Sequence, residues 1–343
     1  MKNCFVIGIA LMTMVSTLLG NPVLIQQQDT NEELITVSFA GDCTLGSYKG
    51  SNHKFDTIAS QNDPAYFMSN VKPVFDTDDV TLVNLEGPLC DNPQEKVKTF
   101  SMKGLPEYTQ ILSQGSIEIV NLSNNHIYDC GQIGFEQTLE NLTNAGIQFA
   151  GEDRITGYSK DGITVYFVGY NAFADTPELR SKIKEDIQVL KDVYEGDIVC
   201  VSFHWGEEYS YYPSSYQKSL AHFAIDNGAD TVVGHHPHVV QGIENYNGKI
   251  IAYSLGNFCF GGNGNPKDKR SMILQVTYDK NGNIYNTVVV PCYITSDLST
   301  NNFQPTVATG DEGVKIISDL IQYSSRFDNT IDFNTGDWLI ESE

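Results

Sequence analysis

From residue 34 onward the chain alternates short apolar runs with amphipathic stretches. The runs Leu34–Ala40, Val80–Leu85, Ile117–Leu122, Ile163–Tyr170, Ile198–Phe203, Thr231–Val233 and Ile250–Tyr253 are rich in β-branched and aromatic residues and short enough to be strands. Between several of them the period lengthens to that of a helix. Phe135, Leu139 and Leu142 recur at i, i+4 and i+7 and the run stops at Gly146; Tyr216, Leu220 and Phe223 repeat the spacing and stop at Gly228. This alternation of strand and helix predicts an α/β domain with right-handed crossovers. Beyond Phe260 the texture changes. Residues 261–269 are rich in Gly, Asn and Lys and read as a loop, and Ile273–Tyr278 and Thr287–Val290 flank Asn281-Gly282, a strong hairpin turn. A last helix is expected around Val314–Tyr323. There is no internal repeat, so residues 34–343 read as one domain, with a motif-bearing core over 38–261 and a C-terminal hairpin and helix over 270–343.

The first 28 residues have a different pattern. Lys2 precedes an apolar run from Cys4 to Leu19, and no further charge follows until Asp29, the pattern of a targeting segment. Leu18 and Gly20 make only a mediocre small-x-small cleavage site for a signal peptide. Continued through Ile25, the apolar stretch has about 20 residues, the length of a membrane anchor. Either outcome places the domain outside the cytoplasm, secreted or anchored to the cell membrane; the third reading of the segment is a buried helix of a cytosolic protein. Composition supports a large core, since 41% of the 343 residues are apolar. The net charge of −22 repels phosphate backbones and anionic membrane surfaces, which excludes nucleic acid as a partner. An anionic substrate remains admissible where a bound cation reverses the local field. Beyond Cys4 the six cysteines show no CxxC pair, so a structural zinc ribbon is unsupported. Buried free thiols are expected, with one disulfide left open.

Chemistry-bearing residues fall at the ends of the predicted strands. Asp42 follows the first, Glu86 the second, Asn125 and His126 the third, His204 the fifth, and His235, His236 and His238 the sixth. In an α/β sheet the carboxyl ends of parallel strands share one edge, where ligands bind. Taken singly, an Asp or Asn at such a place is an ordinary turn former. The histidines change the balance, because five of the seven lie in these segments. The pair His236-Pro237-His238 offers two imidazoles at a spacing stiffened by proline. Imidazole, carboxylate and amide ligands together suit one or two divalent transition ions, Mn, Zn or Fe, better than calcium.

The strings AGDCTLG, VNLEGPL, SNNHIYDCG, FHWGEEY, GHHPHVVQGIE and SLGNFCFG, which span about 38–261, resemble the successive motifs of the CapA family of poly-γ-glutamate capsule synthesis, in order and in spacing. That family in turn resembles calcineurin-like metallophosphoesterases. The resemblance implies a four-layered α-β-β-α sandwich, with Asp42 and Glu86 as carboxylate metal ligands and Glu86 as the bridge. It implies Asn125 as a ligand through its side-chain oxygen, His204, His236 and His238 as the remaining ligands, and His126 as a catalytic imidazole that protonates a leaving group. His235 is implied behind the ligands or against the substrate, as is Asn257 in a loop that closes near the site; Glu207 and Glu208 either hydrogen-bond a ligating imidazole or are solvated loop charges, and Tyr209, Tyr211 and Tyr212 either line a polymer groove or lie on the surface. The first motif departs from the metallophosphoesterase pattern: Asp-x-His is usual, and here it is Asp42-Cys43-Thr44. Two functions follow from the resemblance. One is a metal-dependent hydrolase at the cell surface acting on a phosphoester or a glutamyl amide. The other is a non-catalytic accessory subunit that holds nascent anionic polymer or assists membrane capsule-synthesis proteins.

Overall fold

The apolar runs pair with one another into two stacked sheets. The computed structural model describes residues 33–48, 50–52, 54–93, 99–192, 194, 197–327 and 334–336. The targeting segment expected over 1–28 lies outside the described residues. In chain order the first strands are β1 (Leu34–Thr44), β2 (Ser47–Tyr48), β3 (Val80–Leu85), β4 (Met102–Lys103), β5 (Ile119–Asn121), β6 (Gln148–Ala150), β7 (Ile155–Lys160) and β8 (Ile163–Ala172). Then come β9 (Ile198–Trp205), β10 (Thr231–His235), β11 (Ile243–Tyr246), β12 (Lys249–Ala252), β13 (Asn257–Phe260), β14 (Arg270–Asp279), β15 (Ile284–Tyr293) and β16 (Thr306–Val307). The helices are α1 (Lys54–Ala59), α2 (Ala65–Met68), α3 (Lys72–Phe75), α4 (Thr109–Gln114), α5 (Gly131–Asn144), α6 (Pro177–Asp192), α7 (Ser215–Asp226) and α8 (Gly310–Ser324).

One sheet runs in the order β16-β15-β14-β1-β3-β5-β6, with β13 alongside the end of β1; the other runs β11-β12-β10-β9-β8-β7. Strands β1, β3, β5 and β6 are parallel, as are β8, β9, β10 and β12. The inner faces meet in a dry core where Val37, Phe39 and Leu82 of the first sheet face Val165, Phe167 and Cys200 of the second. Each large side chain buried there contributes about 1.5–3 kcal/mol. On the outer side of the first sheet, Val83, Leu85 and Val120 are covered by Phe67, Leu112 and Phe135 from α2, α4 and α5. On the outer side of the second, Val199, Val201 and Phe203 are covered by Ile183 and Ile187 of α6 and Leu220 and Ala224 of α7. The protein is thus a four-layered α-β-β-α sandwich, as the motifs implied.

Every expected strand is present. The hairpin also forms, with Gly282 N–H donating to Asp279 O at 3.0 Å and Gly282 in the left-handed region at φ 71° that the turn requires. Helix α8 starts earlier than expected and inserts Ile317 and Leu320 into the inter-sheet core. Asn257, expected in a loop, instead opens strand β13. The six described cysteines are buried and free. Among the described residues no helix is long and apolar enough to cross a membrane.

Candidate metal centre

The parallel strands of both sheets bring their carboxyl ends to one edge, and the backbone there is shaped to aim side chains inward. The register of β1 against β3 shifts between Ala40 and Asp42, a bulge at Gly41. No side chain fits at Gly41, because a Cβ would lie 2.0 Å from the Gly256 carbonyl. That close approach lets Asp42 N–H donate to Gly256 O at 2.9 Å and pairs Asp42 with Asn257 across β13. At the end of β10 the backbone is strained as well: His236 and His238 have φ of 93° and 57°. Left-handed backbone at residues other than glycine costs on the order of 1–3 kcal/mol each and persists only where its surroundings hold it. Here His236 N–H donates to Asp42 Oδ2 at 3.2 Å, and Tyr209 N–H donates to Pro237 O at 2.8 Å.

Glu86 is the focus of the cluster. Its Oε1 lies 3.8 Å from His126 Nε2 and 3.9 Å from both His204 Nε2 and His238 Nε2, too far for hydrogen bonds. Both Glu86 oxygens and His236 Nδ1 are buried without a hydrogen-bond partner. Glu86, His236 and His238 place one ligand atom each within 4.8 Å of one another. Behind them, polar side chains fix the rings. His238 Nδ1 donates to Asn257 Oδ1 at 2.9 Å, while Asn257 Nδ2 donates to the His238 carbonyl at 3.2 Å, so Nε2 is left facing Glu86. His126 Nδ1 donates to Asp129 Oδ2 at 2.8 Å, with the same result. Asp42 has less capacity to spare: Oδ1 accepts from Asn84 Nδ2 at 2.8 Å, and Oδ2 lies 3.3 Å from His238 Nδ1.

The electrostatics follow from burial and from these contacts. Burial alone would raise Asp42, yet its contacts with His235 and His238 hold it well below the usual carboxylate range. Burial pushes Glu86 up to about 7 against the opposing pull of the His238 charge. Burial drops His236 to about 4 and holds His204 well below the usual imidazole value, with the neighbouring His236 adding to the effect. His238 goes the other way, to about 9, because the charge of Glu86 and the bond to Asp42 outweigh its burial. A divalent cation fits this set. One unpaired buried carboxylate and a neutral imidazole converge with a second imidazole whose Nδ1 is already engaged, and that donor chemistry is typical of first-row ions.

The family model for the bacterial capsule synthesis protein PGA_cap matches residues 36–262, which hold every residue of this cluster. The chain belongs to the PGA_cap family. Among its relatives are the PGA biosynthesis protein CapA of Bacillus subtilis, 30% identical over 272 residues that cover 74% of this chain and 70% of that one. The capsule biosynthesis protein CapA of Bacillus anthracis is 31% identical over 282 residues, 75% of this chain and 67% of that one. A Mycobacterium tuberculosis relative described as a "Probable polyglutamine synthesis accessory protein" is 31% identical over 248 residues, covering 62% of this chain and 65% of that one. Of solved structures, a purple acid phosphatase from yellow lupin seeds aligns with a TM-score of 0.38 and 11% identity, over 88% of this chain and 57% of that one.

The PGA_cap motifs contribute unequally to the cluster. Asp42, Glu86, Asn125, His126, His204, His235, His236, His238 and Asn257 all come to the one edge. Asn125 and His204, however, turn their facing atoms to each other, His204 Nε2 donating to Asn125 Oδ1 at 2.9 Å. His235 is fully buried with Nδ1 3.5 Å from Asp42 Oδ1. Glu207 and Glu208 are both exposed, and the charge felt at Glu86 and His238 is that of Glu208. Cys43, next to Asp42, points away from the rings into the helix-side core, where burial pushes its thiol up to about 12.

Several contributors were not singled out from the sequence. Asn84 donates to Asp42 and lies 3.3 Å from His204 Nδ1, and its own Oδ1 accepts from Asn121 at 2.9 Å. Asn124 Nδ2 donates to Leu85 O at 2.8 Å, tying the His126 loop to the Glu86 strand. Phe173, just past β8, lays its ring edge on His236 with centroids 4.7 Å apart. The available signal was an asparagine inside an otherwise apolar strand, since a buried amide implies a polar partner.

Proposed function

We propose that this chain is a divalent-metal-dependent hydrolase of poly-γ-glutamate capsule biosynthesis that works outside the cytoplasm on a phosphoester or a glutamyl amide. The observation that carries this reading is the Glu86 carboxylate, buried with both oxygens unpaired and ringed by three imidazole Nε2 atoms at 3.8–3.9 Å. Glu86, His236 and His238 would hold the ion, with Asp42 reinforcing His238 and the His236 backbone. A divalent ion there supplies Lewis-acid polarisation of a phosphoryl or carbonyl oxygen and acidifies a water. His126 is held by Asp129 so that Nε2 faces the cluster, where it delivers a proton to the leaving group. Phe173 and Tyr209 border the rings.

A second reading is favoured by two observations. The first motif has Thr44 where metallophosphoesterases usually carry a ligating histidine, and the Mycobacterium tuberculosis relative is described as an accessory protein. On that reading the same edge holds nascent polymer for membrane capsule-synthesis partners and turns nothing over. Metal analysis of the purified protein beside turnover assays on phosphoesters and on poly-γ-glutamate separates the two. Bound metal with turnover supports the hydrolase; bound polymer without turnover under any supplied divalent ion supports the accessory role.

A further inference from the structure

Two adjoining cavities lead away from the candidate centre, and they differ in chemistry. The nearer, of about 430 Å³, is lined by His238, Tyr209, Tyr211 and Lys267 among others. It therefore touches the metal-centre residues directly. The farther, of about 400 Å³, shares Tyr211, Lys267 and Asp268 with the first and adds Lys269, Arg270 and Lys315. Together they make one groove, apolar and aromatic near the centre and cationic beyond it.

The cations there are not equivalent. Arg270 is neutralised in place, with Asp268 at 2.5 Å on one side and Asp319 on the other. Among the described residues Lys267, Lys269 and Lys315 form no ion pair, and Lys269 Nζ donates to the Pro266 carbonyl at 3.1 Å. The charge of Lys269 is also felt at Asp297, but ammonium groups gathered at one cleft without a salt-bridge partner repel one another and favour an anion between them. Their concentration is notable in a chain with 21 basic against 43 acidic residues. A third cavity, of about 670 Å³, shares Asn263 with the nearer one but offers only Lys54 as a cation. That amine is already committed to the Gly264 carbonyl and the Thr300 hydroxyl.

We propose that Lys267, Lys269 and Lys315 form an anion subsite that grips one carboxylate or phosphate of a polyanionic substrate while a neighbouring unit of the same molecule lies at the metal centre. The subsite rests on the reading of that centre as the place where substrate binds. It selects for repeated anionic groups, because a ligand with a single charge reaches one end of the groove and not both. Tyr209 and Tyr211 line the span between the two ends.

The test is calorimetric titration of the full-length protein and of a Lys267→Ala/Lys269→Ala/Lys315→Ala variant with a γ-linked glutamate oligomer. A second arm uses an inorganic polyphosphate of equal charge. The variant should bind at least about tenfold more weakly and with a shallower dependence on salt, at unchanged metal content and melting temperature. The probe bound more tightly by wild type identifies the anion as carboxylate or phosphate. Wild-type protein that binds neither probe, or a variant that binds within about twofold of wild type, overturns the subsite. Lys315→Glu alone guards against a folding artefact, since reversing one charge at the exposed Lys315 should weaken binding more than Lys315→Ala does. Failure of the hydrolase reading is distinguishable, because it appears as absent turnover with this binding difference intact.

Discussion

Replacing His126 by asparagine separates proton transfer from support of the fold. The imidazole makes one strong contact, Nδ1 to Asp129 Oδ2 at 2.8 Å, and turns Nε2 toward Glu86 Oε1 at 3.8 Å. Asparagine places its Nδ2 near the position of Nδ1 and keeps a donor for Asp129, while nothing remains at Nε2. If the ring delivers a proton, turnover by His126→Asn should fall about 10²–10⁴-fold, or about 3–5 kcal/mol in the barrier, with stability nearly intact. His126→Ala removes the donor too. Asp129 then keeps its bond from Met102 N–H at 2.6 Å, so the loss is that of one charge-assisted hydrogen bond, about 1–3 kcal/mol. In a domain of this size that lowers Tm by roughly 2–6 °C. The assay is steady-state turnover of a phosphomonoester and of a γ-glutamyl oligomer, normalised to metal-bound protein, beside thermal melts of both variants. An asparagine variant that retains turnover within about threefold of wild type refutes the proton-transfer role. So does an activity loss in both variants that merely tracks the folded fraction.

Purified protein should carry between about one and two equivalents of transition metal, and chelation should lower Tm, because a ligand that binds only the folded state stabilises it; content below about a tenth of an equivalent after metal-replete growth sinks the metal centre. Asn84→Ala strips partners from Asp42, Asn121 and His204 at once and should cost about 2–4 kcal/mol in denaturant melts, with metal affinity down about 10–100-fold; a loss under about 0.5 kcal/mol counts against the amide chain. Burial pushes Asp78 up to about 7, in spite of bonds from Ser38 and Thr81 that pull the other way. Its folded value lies above the unfolded one of about 3.8, so its stabilising contribution is complete below that value and is lost as the pH climbs through about 7. Asp78→Asn should therefore raise Tm at about pH 8 and leave it unchanged near about pH 4, and melting profiles that run parallel across this range would contradict the assignment.

Much of the site could be read from the chain because its residues follow strands whose own pattern is strong. Apolar β1, β3, β9 and β10 announce themselves by composition, and in a parallel sheet whatever follows them must share an edge. Helix α6 shows what was passed over: Ile183, Ile187 and Leu190 repeat at the same i, i+4, i+7 spacing as α5 and are buried. Strand β7 could not be found that way. Its sequence Ile155–Lys160 is mixed and half-exposed, and it forms at the edge of the second sheet by pairing antiparallel with β8 along its length. Its backbone partners decide it, and its side chains do not.

By itself the sequence determined the alternation of strand and helix, the four-layered class through its motifs, the hairpin at Asn281-Gly282 and the strand-end placing of Asp42, Glu86 and the histidines. These are local properties, set by periodicity, turn chemistry and the chain direction of parallel strands. Only the tertiary structure decided which facing atoms are free. Asn125 and His204 are adjacent in space and satisfy each other, whereas Glu86, with the same strand-end signature, is left without a partner among three rings. It also decided that of the two neighbouring acids the charge of Glu208 is the one felt at the centre, and that Asn84 and Asn121 orient the site from behind. The reason is physical: a hydrogen bond or a buried charge depends on positions to within a few tenths of an ångström, and those are fixed only when two sheets, a bulge at Gly41 and the strained His236–His238 backbone pack together.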